Sequence, residues 1–147
     1  MAIFYQNLEV PFPKIERKKT SLWIKSVIDR HKRTLGTLTY VFCSDAEVLN
    51  MNKRYLNHDY YTDIITFDYS EGDVLSGDLF ISLDTVRSNS EKFKTDYDEE
   101  LRRVMIHGLL HLCGYNDKDR KQIKTMREEE NAALQIWHLT KQNNYDI

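Results

Sequence analysis

The chain has 147 residues with net charge −2, 41% of them hydrophobic and 30% charged, the profile of one soluble globular domain with a single sizeable core. No apolar run approaches the roughly 20 residues of a membrane span, and the opening ten residues lack the basic start and apolar core of a signal peptide. Charge is uneven: residues 1–60 carry 10 Lys/Arg against 6 Asp/Glu and residues 61–147 carry 11 against 17, so a nucleic-acid surface is confined to the first half, where a solvated basic helix face is the other reading.

Taken in order, Ile3, Tyr5 and Leu8 mark a short edge strand that Pro11 and Pro13 end. From about Lys18 to Lys32, the apolar stripe Leu22, Trp23, Val27 and Ile28 lies opposite basic residues and predicts an amphipathic helix broken at Gly36. Thr37–Cys43 is rich in β-branched and aromatic residues and reads as a strand. Ser44 with Glu47 three residues on is a capping box, opening a helix to about Leu56. Ile64–Tyr69 and Gly77–Ser82 are core strands separated by a turn or loop at Glu71–Asp73. Asp84–Phe93 is a short helix, a further helix follows, and Asp119–Leu139 closes the series with Ile123, Met126, Ala133, Leu134, Ile136 and Trp137 near helical spacing. Residues 140–147 are polar and expected to fray. The result is an α+β fold, a small mixed sheet of three to four strands packed with about five helices in a single domain over 1–147. Cys43 and Cys113 are too few and too far apart for a disulfide framework; both are expected as small buried hydrophobes in a cytoplasmic protein.

The remaining helix carries the chemistry. Leu101, Val104, Met105, Leu109 and Leu112 recur at threes and fours, Asp96 or Asp98 can cap its start, and Glu99 and Glu100 suit the positive end of its dipole. Gly114 follows as the residue that lets the chain leave with positive φ. His107 and His111 are four apart, about 400° of helical turn, so both imidazoles leave one face. Asp117 lies six residues past His111, far enough beyond the turn to fold back toward them. Two histidines and a carboxylate make a three-ligand site whose fourth zinc position stays open for water, as in catalytic rather than structural centres. An H-x-x-x-H pair also arises by chance; the glycine stop and the returning carboxylate distinguish this one. Gly108 stands where an H-E-x-x-H protease places its general base, which counts against peptide hydrolysis by that route.

The run His107–Asp117 resembles the signature of the YbeY endoribonucleases, bacterial ribosomal-RNA maturation factors, whose pattern is H-G-x-L-H-L-x-G-Y-D-H. Upstream, Asn52, Tyr55, Asp59, Thr62–Phe67 and Gly77–Ile81 resemble that family's N-x-x-Y-R-x-x-D-x-x-T-D-V-L-S-F and G-D-I-x-I segments in order. The likeness covers about residues 49–137, and residues 1–48 agree only in general plan. Two departures from the pattern matter: Asp117 stands where the family usually has a third His, and Leu56 where it usually has Arg.

The resemblance implies a metal-dependent, single-strand-specific endoribonuclease acting in maturation of 16S ribosomal RNA of the small ribosomal subunit. It implies one zinc ion on His107, His111 and Asp117, lowering the pKa of bound water from about 15.7 toward roughly 7 and polarising a phosphoryl oxygen. Lys53, Arg54 or His58 are candidates for the cation that Leu56 does not supply, Arg54 being preferred for its planar fork. Tyr55 or Tyr60 offers a ring on which a base can stack, with half-buried packing the plainer reading of Tyr55. Asp63 and Asp78 are candidates for orienting a ligand imidazole, or else loop and cap residues. His31 and His138, on amphipathic helices, are expected as surface or packing residues. No residue is assigned as general base. The rival readings are a metal-dependent, peptidase-like hydrolase and a non-catalytic ribosome-assembly factor with a structural metal.

Overall fold

Strand formers and helix stripes alternate along the chain, and the computed structural model, which describes residues 2–57 and 62–143, realises them as four strands and five helices. The order is β1 (Ala2–Asn7), α1 (Arg17–Arg30), β2 (Thr34–Cys43), α2 (Asp45–Leu56), β3 (Ile64–Asp68), β4 (Val74–Ser82), α3 (Leu83–Phe93), α4 (Tyr97–Leu112) and α5 (Arg120–Asn143). The sheet runs β1-β2-β4-β3, with β1, β2 and β4 parallel and β3 antiparallel at the far edge. This is the expected α+β architecture with a mixed sheet, and β1 is the edge strand that its short, proline-ended sequence implied.

Several boundaries differ from the sequence reading; β2 and β4 each begin three residues earlier than expected, at Thr34 and Val74. Gly36 does not break α1; that helix ends earlier, at His31, and Lys32 takes the left-handed turn at φ 56. Gly36 lies inside β2, at the register irregularity between Leu35 and Leu38. A Cβ there would sit 2.2 Å from Ser76 Oγ and 2.8 Å from the Leu75 carbonyl, so the glycine serves the close approach of β2 to β4. At the other end, α5 runs through Asn143, and residues 144–147 lie outside the described residues.

Alternation along β4 divides the molecule. Leu75, Leu79 and Ile81 are buried on the face that carries α4, whereas Phe80 packs with Cys43, Val48, Ile65, Met51 and Phe67 in a smaller cluster under α2. The larger core joins α1, α4 and α5: Trp23 meets Trp137 edge to face at 5.4 Å and donates its indole N–H to the Ala133 carbonyl at 2.8 Å. Each fully buried large apolar side chain contributes about 1.5–3 kcal/mol relative to exposure, so this core dominates the stabilisation of α4.

Helix α4 is held hardest. The Asp96 carboxylate accepts from the Glu99 N–H at 3.2 Å, with Asp98, Glu99 and Glu100 in the first turn. The buried Tyr40 hydroxyl donates to the Met105 carbonyl at 3.1 Å, tying mid-helix to the sheet. At Gly108 helix and sheet come closest: an added Cβ would lie 2.5 Å from Ile64 Cδ1 and 2.7 Å from Leu79 Cδ2. Among the described residues no helix is long and apolar enough to cross a membrane.

Candidate metal centre

Because Leu101, Val104, Met105, Gly108, Leu109 and Leu112 are buried against the core, one strip along α4 is left to polar residues: Arg103, His107 and His111, at i, i+4 and i+8. The chain then turns through Gly114, at φ 100, and returns Asp117 to this strip. Four contacts set the return path. The Gly114 and Tyr115 N–H groups donate to the His111 and Leu110 carbonyls at 3.0 Å each. Arg33, just before β2, donates to the Cys113 carbonyl at 2.9 Å, and the Tyr115 ring meets His31 edge to face at 5.6 Å.

The structure thus brings His107, His111 and Asp117 together. The two Nε2 atoms are 3.0 Å apart, and the Asp117 carboxylate lies 3.2 Å from His107 Nε2 and 3.6 Å from His111 Nε2. Bonds of about 2.0–2.2 Å in tetrahedral directions would separate ligand atoms by about 3.3–3.6 Å, close to this triangle.

The hydrogen bonds behind the imidazoles sharpen the fit. His107 Nδ1 is 2.7 Å from the Glu130 carboxylate and His111 Nδ1 is 2.9 Å from the Tyr115 carbonyl. Both partners can only accept, so both Nδ1 atoms carry the proton. In the neutral rings each Nε2 then presents a lone pair, facing the other and a carboxylate. With both Nε2 atoms deprotonated, the three groups form a set of acceptors able to hold a metal ion.

The surrounding acids favour positive charge on or beside the imidazole. Burial pushes the His107 imidazole down, but the Glu130 hydrogen bond and the charges of Glu130, Asp63 and Asp117 outweigh it and hold His107 above its ordinary value. Burial raises Glu130 too, yet the hydrogen bonds from His107 and Arg103 more than reverse this and hold its carboxyl below the usual range.

Glu130 was not found from sequence. It is 95% buried on α5, bridging His107 and Arg103, whose Nη1 donates to it at 2.8 Å. Its signal is a carboxylate placed between Met126 and Ala133–Leu134 on the apolar stripe of α5, where an acid requires a partner. Asp78, by contrast, is excluded as a partner of the imidazoles. It lies between Gly77 and Leu79, which face α4, and so projects from the opposite face of the sheet, hydrogen-bonded to the Tyr69 hydroxyl. Asp63 borders the site; burial raises its carboxyl, opposed by the His107 charge. It is Glu130 that bonds His107 Nδ1.

A cavity of about 470 Å³ opens beside the triad, walled by Asn52 and Leu56 from α2, by Asp63, Thr66 and Asp68 around β3, and by His107, His111 and Asp117. Lys53 and Arg54 are exposed on α2 and outside this wall, because Asn52 and Leu56, four apart, take the inward face. The Arg54 guanidinium lies 5.9 Å from the Tyr55 ring, which meets Phe67 edge-on at 5.9 Å. His58, Asp59 and Tyr60 lie outside the described residues. His31 and His138 pair with Glu129 and Glu99, at 3.1 and 2.6 Å.

Three ligand-type side chains converging at a cavity mouth, two from a helix laid across a mixed sheet and one from the loop after it, define a candidate metalloenzyme. The sequence profile of the family described as Endoribonuclease YbeY matches residues 6–138, and the chain belongs to that family. A protein of that name from Parabacteroides distasonis is 56% identical over 136 residues, covering 92% of this chain and 96% of its own. Another from Bacteroides thetaiotaomicron is 56% identical over 134 residues, covering 91% and 98%. The solution structure of a Thermotoga maritima protein shares the fold, with TM-score 0.64 at 22% identity over 95% of this chain and 93% of that one.

Proposed function

We propose that this endoribonuclease hydrolyses single-stranded RNA with the aid of one zinc ion bound by His107, His111 and Asp117, acting in the cytoplasm on 16S ribosomal RNA of the small ribosomal subunit. The convergence of two Nε2 lone pairs and one carboxylate beside an open cavity carries the metal reading. The RNA and ribosomal reading rests on family membership and the motif blocks around Asn52, Thr62–Phe67 and Gly77–Ile81.

His107, His111 and Asp117 would hold the ion, which when bound would supply Lewis-acid polarisation of a phosphoryl oxygen and lower the pKa of water. The protein's own groups do the rest. Glu130 and the Tyr115 carbonyl fix which imidazole nitrogen faces the ion, and Arg103 keeps Glu130 ionised. Lys53 and Arg54 are proposed to meet the RNA backbone where it leaves the cavity over α2. Peptide hydrolysis is disfavoured by Gly108, whose missing side chain would point into Ile64 and Leu79 and not toward a substrate.

Incubation of the purified, untreated protein with a labelled single-stranded RNA, the matching duplex and an unstructured peptide tests this reading. Cleavage of the single strand alone, stopped by chelator, is expected. Equal cleavage of duplex RNA, or cleavage of the peptide, would contradict it.

A further inference from the structure

The His107 imidazole also borders a second cavity, of about 310 Å³, on the α3 and α5 side. We infer that this cavity is a nucleotide subsite in which Arg127 grips an RNA phosphate and Phe93 stacks the attached base; the inference rests on the RNA reading above and names where one nucleotide beside the cleaved bond is held.

A phosphodiester brought to the triad adds negative charge to a place already occupied by Asp117 and Asp63, so a cation must lie close by. Among the described residues, the wall of the larger cavity contains no Lys or Arg and includes Asp68 and Leu56. The second cavity contains two, Arg103 and Arg127. Arg103 is committed, donating to Glu130 at 2.8 Å and to Asn131 at 2.9 Å. Arg127 lies 3.6 Å from Glu130, too long for a hydrogen bond, and its side chain is 59% exposed, so its donor fork is available to a ligand. The acids Asp63, Glu100, Asp117 and Glu130 line the same cavity; Glu100 and Glu130 are buried, Glu130 is compensated by Arg103 and His107, and Asp63 and Asp117 lie at the His107 end of the cavity.

The rim supplies the other half of nucleotide chemistry. Phe93, at the end of α3, is 58% exposed, with Lys92 Nζ 5.5 Å from its ring. Exposed Ile123 adds apolar surface, and the Asn89 amide offers a donor and an acceptor to a base edge. An exposed aromatic ring beside an exposed arginine is the arrangement that holds single-stranded nucleic acid with little sequence preference.

The test uses full-length protein with its bound metal and a nuclease-resistant single-stranded 2′-O-methyl phosphorothioate oligonucleotide, titrated at several salt concentrations, with metal content measured on each variant. Arg127→Gln is expected to weaken binding roughly tenfold and to flatten the salt slope by about 0.7, while metal content stays at the wild-type value. Arg127→Lys should keep the slope. Phe93→Ala should weaken binding about fivefold or more with the slope unchanged. Wild-type affinity and slope in Arg127→Gln would overturn the subsite. So would a loss that tracks loss of metal, since Arg127 would then act only through Glu130. Failure of the wild-type protein to bind the oligonucleotide would instead overturn the RNA reading itself, and the subsite with it.

Discussion

The two sides of His107 are built differently. Toward α5 the imidazole meets a buried acid whose charge is balanced by Arg103, a closed arrangement of hydrogen bonds at 2.7 and 2.8 Å. Toward α2 and β3 it faces an open cavity walled by Leu56, Thr66 and Asp68. The Glu130 contact fixes the ring and its tautomer, while room for a substrate lies in the cavity toward α2 and β3 and in the smaller one beside Glu130. A ligand histidine that reacts with something must have both, because orientation requires close packing and access forbids it.

The largest effect that separates these roles is expected at the triad itself. His111→Ala should abolish RNA cleavage while leaving the far-UV circular dichroism spectrum intact, since α4 is held by its buried apolar residues and by Tyr40 and not by the ion. Loss of the folded spectrum on this substitution, or on chelation, would make the ion structural. Glu130→Gln attacks the closed side alone and should lower zinc affinity about 10–100-fold in competition with a chelating dye. Leu56→Ala on the open side should leave zinc affinity unchanged. Equal losses from the two variants would erase the difference between the walls.

Gly108→Ala probes the floor beneath both. The added methyl must displace Ile64 and Leu79, so a net loss of about 1–3 kcal/mol in urea unfolding is expected, despite the gain of about 1 kcal/mol in helix propensity. The smallest effect lies with the thiols. Burial, aided by the charges of Glu47, Asp45 and Asp84, pushes Cys43 from an ordinary thiol value of 9.0 up to about 12, and burial, partly offset by Arg33, pushes Cys113 up to about 11. A raised thiol favours the folded state below the unfolded value, and that contribution is lost as pH climbs from about 9 toward 11–12. Stability should therefore decline over this window, and neither cysteine should react with iodoacetamide at pH 8 in the folded protein.

What could be read from the sequence was local. The spacing of His107, His111 and Asp117, the glycine exit and the Ser44 and Asp96 caps are decided within a few residues, and the structure places each as expected. Glu130 acts across 23 residues and only after α5 docks on α4, so its sole local trace is an acid on an apolar stripe. Gly36 was misread because its reason is Ser76, forty positions away on β4. Asp78 was misplaced because alternation along β4 separates two faces without saying which one carries α4. Arg54 shows the same limit on a helix: helical spacing separates Arg54 from Asn52, but only the packing of α2 shows that Asn52 and Leu56 face the cavity.

The central claim is that catalysis of RNA cleavage depends on an ion held by His107, His111 and Asp117 on a fold that exists without it. Titrating zinc into chelator-stripped protein while following cleavage of a single-stranded RNA tests it most directly. No cleavage by the stripped but folded protein, with activity rising to a plateau at one equivalent of zinc per chain, is the expected result. Full cleavage before any zinc is added, or a plateau reached only at several equivalents, would contradict it.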